Sequence, residues 1–243
     1  MPSAELRDLT VHIDTGRWAE TVLDSVNLTV PDGRITALLG ESGCGKSMVA
    51  AALTGSLPSP ARSTGQVLVD GEPVRNRREW FRLRGRTVGF VPQDGVTAFD
   101  PSQTVGAQLR DLEKRHDHWA LDRACTAARY PTDLFDLYPK QHSGGQIQRA
   151  ALAAALLPAP GVLIADEPAA SLDTGTAYAV WTTLYRYAAA GAAVLLITHD
   201  VPMLTASRAA DRVVLMRGGR ITAEGGTDEL AAGTDPYVRD FFH

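Results

Sequence analysis

Eight residues, Gly40 to Ser47 (GESGCGKS), constrain the fold of this chain more than any other stretch. They read G-x-x-x-x-G-K-S, the phosphate-binding loop pattern. The apolar run Ile35 to Leu39 before them suits a buried strand, and Met48 to Leu53 after them suits a helix. A strand that passes through a glycine-rich turn into a helix N-terminus exposes backbone N–H groups, and the helix dipole behind them favours negative charge. Gly40, Gly43 and Gly45 let the main chain close on phosphate, with Glu41, Ser42 and Cys44 between them and Met48 just beyond. Lys46 is placed to reach the β- and γ-phosphates, and the Ser47 hydroxyl to ligate Mg²⁺. Only three of the 24 basic residues are lysines, so a lysine in that slot is not a by-product of composition. The loop predicts a nucleotide site.

Composition narrows the classes. A chain of 243 residues can bury a substantial core as one domain, or as one domain with a smaller lobe. A net charge of −4 argues against general nucleic-acid binding. No apolar run approaches the roughly 18 residues that would span a bilayer. The start, MPSAELRD, has no apolar core and does not read as a secretory signal. The two cysteines, Cys44 and Cys125, have no metal-ligand spacing and suggest no disulfide framework. The expected compartment is the cytosol.

Along the chain, Leu9–Ile13 and Val22–Val30 read as short strands. Trp18, in the polar turn between them, either stacks on an adenine or folds onto the sheet. Gly55 to Gly65 reads as a loop by composition, and Gln66–Val69 as a strand. Six arginines between Arg75 and Arg86 read as a solvated face near a phosphate site rather than a nucleic-acid patch. Thr87–Val91 is a strand that delivers Gln93 to its end, where it could meet a ligand. Residues 94–140 turn helical, with Val105, Leu109 and Leu112 forming one stripe. His116-Asp117-His118 reads as surface, because positions i and i+2 do not share a helix face.

Ser143 is a natural N-cap for the alanine-rich helix behind it, and with Gly144 and Gly145 it offers a second anion-accepting helix start. Val162–Ala165 is a buried strand running into Asp166 and Glu167. The first carboxylate suits Mg²⁺, and the second suits polarising an attacking water. Ser171-Leu172-Asp173 opens a helix whose Tyr178, Trp181, Leu184 and Tyr185 read as core. Ala193–Ile197 is another buried strand, and it brings His199 to the same sheet edge as Gln93 and Asp166. Arg212–Met216 and Ile221–Glu224 read as a final strand pair, and DELAAGTDPYVRDFFH as a short helical tail. Strands alternating with helices predict a mostly parallel α/β sheet.

In that order these features resemble the nucleotide-binding subunit of an ABC (ATP-binding cassette) transporter. GESGCGKS is similar to the Walker A loop and VLIADEP, Val162 to Pro168, to Walker B with its catalytic glutamate. Gln93 matches the Q-loop, His142 to Gln146 (HSGGQ) the signature motif, Asp173 the end of the D-loop, and His199 the switch histidine. Trp18 falls near the place of an adenine-stacking aromatic. The stretches TAFDPSQTVGAQL, YPKQHSGGQIQRAALAAAL and DPYVRDFF resemble the importer subfamily for dipeptides, oligopeptides and nickel. Three features depart from the family pattern: His142 stands where an apolar residue is usual, Gln93 to Ser143 is short, and the chain ends soon after DPYVRDFF. The last leans the expected cargo toward nickel or another metal complex.

The resemblance implies a single P-loop NTPase (ABC ATPase) domain over residues 1–243. It would have a mostly parallel core sheet, an N-terminal antiparallel β region and a small helical subdomain inserted at about 94–157. It implies ATP and Mg²⁺, the latter served by Ser47, Gln93 and Asp166. Glu167 and His199 would be catalytic, and Ser143, Gly144, Gly145, Gln146 and Asp173 would face nucleotide across a cassette dimer. The implied partners are a second ABC ATPase subunit, two membrane permease subunits and an extracytoplasmic substrate-binding protein, with no nucleic acid. The chain would then lie at the cytoplasmic face of the membrane. Alternatives are a soluble ABC ATPase outside transport, a nucleotide-binding regulator without turnover, or a cassette for another cargo.

Overall fold

The computed structural model describes residues 3–116 and 118–242. Met1, Pro2, Asp117 and His243 lie outside them, so the readings of the extreme N-terminus and of the His116–His118 triplet are covered only in part. The phosphate-loop strand β3 (Ile35–Gly40) lies inside a six-stranded sheet of order β10-β9-β3-β8-β7-β6. It runs parallel to β8 (Ala193–Ile197) on one side and to β9 (Arg212–Arg217) on the other. The parallel array continues through β7 (Val162–Asp166) to β6 (Val88–Val91), and β10 (Arg220–Gly225) closes the other edge antiparallel to β9. Strands β3, β7 and β8 are buried along their whole length. Both sheet faces are covered, which is why these strands read as continuous apolar runs rather than alternating ones.

A second sheet, β2-β1-β4-β5, is antiparallel and is built from β1 (Ala4–Asp14), β2 (Ala19–Val30), β4 (Ala61–Val69) and β5 (Glu72–Pro73). The loop expected over Gly55 to Gly65 is therefore corrected from Ala61 onward. Arg62, Ser63 and Thr64 pair with His12, Val11 and Thr10 of β1, so their backbones are in a ladder while their side chains face water. One-sided antiparallel strands carry such polar residues. Gly65 (φ +88°) faces a register shift at Asp8 (φ +47°), and a Cβ there would stand 2.3 Å from the Asp8 carbonyl oxygen. Only glycine fits at that bulge.

Helix α1 (Lys46–Leu53) leaves the phosphate loop, and α2 (Arg77–Leu83) follows the small sheet. Helices α3 (Val105–Arg115), α4 (Leu121–Ala128) and α5 (Gly144–Leu156) lie between β6 and β7. Helix α6 (Thr174–Ala189) joins β7 to β8, and α7 (Val201–Ser207) joins β8 to β9. The C-terminal tail is two short helices, α8 (Thr227–Ala231) and α9 (Pro236–Phe242). No described helix is long and apolar enough to cross a membrane.

The six arginines from Arg75 to Arg86 are exposed, as a solvated face requires. Arg84 has structural work as well, since its Nε donates to the Thr54 carbonyl at 2.7 Å. The aromatic stripe of α6 is corrected. Trp181 and Leu184 are core, but Tyr178 and Tyr185 are 54% and 49% exposed. Seven residues make almost two turns, so the two tyrosines share one helix edge while Trp181 and Leu184 point further round, into the core.

Candidate nucleotide-binding and hydrolytic site

Parallel strands deliver their carboxyl ends to one sheet edge, and the candidate residues collect there. At the end of β3, Gly40 (φ +155°), Gly43 (φ +80°) and Gly45 (φ +109°) carry the loop into α1. A Cβ on Gly40 would stand 2.5 Å from the Met216 carbonyl oxygen and 2.6 Å from Cys44 Sγ. The loop is thus pressed onto the end of β9, which explains the glycine. Gly219, in the β9–β10 turn, donates its N–H to the Cys44 carbonyl at 3.0 Å and buttresses the loop from below. Tyr237 of α9 adds a hydrogen bond to the Met216 carbonyl at 2.8 Å. Lys46 Nζ curls across the loop and donates to the carbonyls of Gly40 and Glu41 at 2.7 and 2.8 Å. Phosphate oxygens are stronger, charged acceptors, so this ammonium gains by turning toward an anion.

A cleft of about 530 Å³ opens over the loop. Gly40, Ser42, Gly43, Gly45, Lys46, Ser47 and Met48 line one side, and Gln93, Asp166, Glu167 and His199 line the other. The strand-end residues predicted to converge do converge. Val22, on β2, also lines the cleft and was not legible as a site residue, because a valine in an alternating strand carries no chemical signal. Glu41 contributes its carbonyl to Lys46, and Cys44 is buried beneath the loop.

Asp166 and Glu167 are buried at the end of β7. Burial pushes the Asp166 carboxyl above the usual carboxylate range. Its hydrogen bond with the Ser47 hydroxyl opposes that push, adjacent Glu167 adds to it, and Lys46 opposes it. A carboxyl raised in the folded state costs stability as pH climbs from its ordinary value of 3.8 through the folded value, because the native form must then give up a proton that it holds tightly. Asp166→Asn is accordingly expected to raise the melting temperature of the ligand-free protein at neutral pH by about 2–4 °C per kcal/mol of relief. The gain should vanish in acid below the ordinary carboxylate range. Calorimetry against pH checks this, and an unchanged or lowered neutral melting temperature would contradict it.

Glu167 adopts a left-handed backbone (φ +49°), held by its N–H donating to the Ile197 carbonyl at 2.9 Å. Its Oε1 accepts from His199 Nδ1 at 2.6 Å. The carboxylate is buried while the histidine ring is 71% exposed. Strained backbone of this kind persists where the surroundings over-determine it, and it clusters at functional sites.

The remaining candidates lie outside this cleft. Trp18 is 50% exposed in the β1–β2 turn, not folded onto the sheet, with its carbonyl accepting from the Thr15 N–H at 2.9 Å. Ser143 caps α5: its Oγ accepts from the Gln146 N–H at 3.3 Å, and its N–H donates to Gln146 Oε1 at 2.8 Å. The Gln146 side chain is thus engaged in a reciprocal cap. Gly144 and Gly145 pack against the Ser171–Leu172 loop, where a Cβ on Gly145 would stand 2.9 Å from the Ser171 carbonyl oxygen. Asp173 caps α6 through the Thr176 N–H, and the hydrogen bonds from Thr176 hold its carboxyl below the usual range. His116 and His118 belong to no group of three or more His, Cys, Asp or Glu side chains among the described residues.

A phosphate loop on a parallel sheet, with a buried Asp-Glu pair and a histidine facing it, defines an ATP-binding cassette, an ATPase module. The chain belongs to the ABC transporter family: the family profile described as "ABC transporter" matches residues 23–170. It is 33% identical over 250 aligned positions to "Probable peptide ABC transporter ATP-binding protein y4tR" of Sinorhizobium fredii, covering 97% of this chain and 74% of that one. It is 34% identical over 224 positions to "Metal-staphylopine import system ATP-binding protein CntD" of Staphylococcus aureus, covering 87% and 82%. Against "Oligopeptide transport ATP-binding protein OppD" of Mycobacterium tuberculosis it is 32% identical over 244 positions, with 94% of this chain matched to 39% of that one. Among solved structures, the dimeric ATP-binding cassette MJ0796 in a post-hydrolysis state with ADP and Pi superposes with a TM-score of 0.80. That match has 24% identity and covers 92% of this chain and 98% of the other.

Proposed function

We propose that this chain is the ATP-hydrolysing cassette of an importer for peptides or for nickel or other metal complexes. The observation that carries the hydrolytic reading is the Glu167–His199 pair, 2.6 Å apart on the rim of the phosphate-loop cleft. The cargo class is supported by the peptide and metal-staphylopine import relatives.

In this reading, Gly40 to Ser47 cradle the phosphates of ATP through backbone N–H groups, and Lys46 releases the loop carbonyls to bind them. Trp18 stacks on the adenine. Ser47, Gln93 and Asp166 form an all-oxygen donor set suited to a hard cation, and buried Asp166 gains most from one. Mg²⁺ held there would neutralise charge developing on the β- and γ-phosphate oxygens. Glu167 accepts a proton from the attacking water as general base. His199 orients that carboxylate through Nδ1 and contacts the γ-phosphate.

Ser143 to Gln146, with Asp173, serve the nucleotide of a second cassette, so two chains close head to tail on shared ATP. Residues 1–243 act as one domain, and the helical subdomain at about 94–157, with Gln93 at its entrance, transmits closure to two membrane permeases. An extracytoplasmic substrate-binding protein delivers the cargo, and the cassettes work at the cytoplasmic face.

The test is reconstitution of this cassette with its permeases and binding protein in proteoliposomes, supplied with a labelled oligopeptide or a nickel complex. ATP-dependent accumulation of either cargo is expected. Steady hydrolysis that ignores permeases and cargo alike would favour a soluble ATPase instead.

A further inference from the structure

The residue ahead of the Ser143 cap, His142, has both ring nitrogens partnered. Nδ1 lies 3.0 Å from the Tyr138 carbonyl oxygen and Nε2 lies 2.8 Å from the Tyr130 hydroxyl. A carbonyl oxygen only accepts, so Nδ1 carries the ring proton. In the neutral ring Nε2 then accepts, and the Tyr130 hydroxyl donates to it. Tyr130 is fixed in turn. It is 3% exposed and stacked on Phe135 with ring centroids 6.0 Å apart, and its hydroxyl has a longer alternative among the described residues, the Leu134 carbonyl at 3.3 Å.

Tyr130 follows the end of α4, whereas His142 precedes the start of α5, so this pair ties two elements together. Arg149 makes a parallel tie, donating to the Gly145 carbonyl at 3.1 Å and to the Arg129 carbonyl at 2.7 Å. From the other side, Gly145 is pressed against Ser171. Ser143 and Gly144 stay exposed between these anchors. An apolar side chain at position 142 would fill similar space and supply neither hydrogen bond.

We propose that His142, acting through Tyr130, is a positioning residue. The imidazole–phenol latch holds the Ser143–Gly145 turn in the pose that meets nucleotide on a second cassette. This rests on the reading above that the turn completes a partner's site. The latch takes no part in the chemistry; it fixes in advance the direction of groups that must converge on phosphate, where a misplacement of about 1 Å is costly.

Two measurements test it on the whole chain. Nitrogen-15 NMR of labelled histidines, with the His142 signals assigned by their loss in His142→Leu, is expected to show the Nδ1-protonated tautomer. Tyr130→Phe should weaken that preference without reversing it, because the Tyr138 carbonyl still accepts from Nδ1. In hydrolysis assays with the partner cassette, His142→Leu and Tyr130→Phe should each lower kcat about three- to tenfold, the scale of one buried hydrogen bond. ATP affinity of the isolated chain should stay within about twofold, and the double variant should be no worse than the weaker single, as for one shared interaction.

An Nε2-protonated native His142, native turnover in either single variant, or additive losses would overturn the proposal. If the native pair hydrolyses no ATP at all, the functional reading fails, while the tautomer still decides whether the latch exists.

Discussion

Replacing Glu167 with glutamine is expected to cut ATP turnover about 10²–10⁴-fold, the range of general acid–base catalysis, while leaving ATP binding in place. The two effects separate because of where Glu167 sits. Its carboxylate is buried in the cleft and bound to His199, whereas Lys46 and the loop glycines, which line the same cleft from the phosphate loop, would hold the phosphates. Glutamine keeps the size of the side chain and an oxygen to accept from His199 Nδ1. It lacks only the basic oxygen that, in the proposed mechanism, would take a proton from water. Phosphate release measured beside nucleotide binding decides the matter. A variant that hydrolyses at near-native speed would remove Glu167 from the mechanism.

Lys46→Ala is expected to act on the other arm, weakening ATP binding about 10–10²-fold, the scale of one or two charge-assisted hydrogen bonds. Two losses combine in it. The ammonium would no longer reach the phosphates, and the bridge it makes between the Gly40 and Glu41 carbonyls disappears from the loop. The fold should survive, because Gly40 remains clamped by Met216 and the Gly219 N–H still supports Cys44. Titration calorimetry against unchanged circular dichroism checks both halves. Affinity within about twofold of native would mean that the backbone N–H groups alone carry the phosphates.

Reading the chain without its fold recovers the pieces whose signal is local. The phosphate loop announces itself because glycine spacing, the lysine and the flanking strand and helix are all adjacent in sequence. Asp166-Glu167 and His199 stand out because each ends an apolar run of strand length. The exposed tyrosines of α6 and the polar strand from Ala61 are misread for a common reason. Local composition reports what a side chain prefers, and neighbours brought from far along the chain decide whether it is covered or its backbone paired. Tyr178 differs from Trp181 only in which part of the helix the rest of the protein covers. Arg62 and Thr64 are in a strand because β1 lies beside them.

By itself, then, the amino-acid sequence determined the candidate chemical groups of this protein: a phosphate-loop motif, two carboxylates and a histidine, each at a strand end, and a second serine-capped helix start. Tertiary structure alone decided that these groups share one edge. The parallel register of β7 against β8 sets Asp166 beside Ile197, which lets Glu167 meet a histidine 32 residues further on. It also decided that the Ser143 turn lies outside its own chain's cleft, and that His142 is bound at both ring nitrogens instead of being a stray polar residue in an apolar slot. The physical reason is the same throughout. Backbone propensity and side-chain type act over a few residues, whereas sheet order, crossover and packing fix contacts between residues that are far apart in sequence.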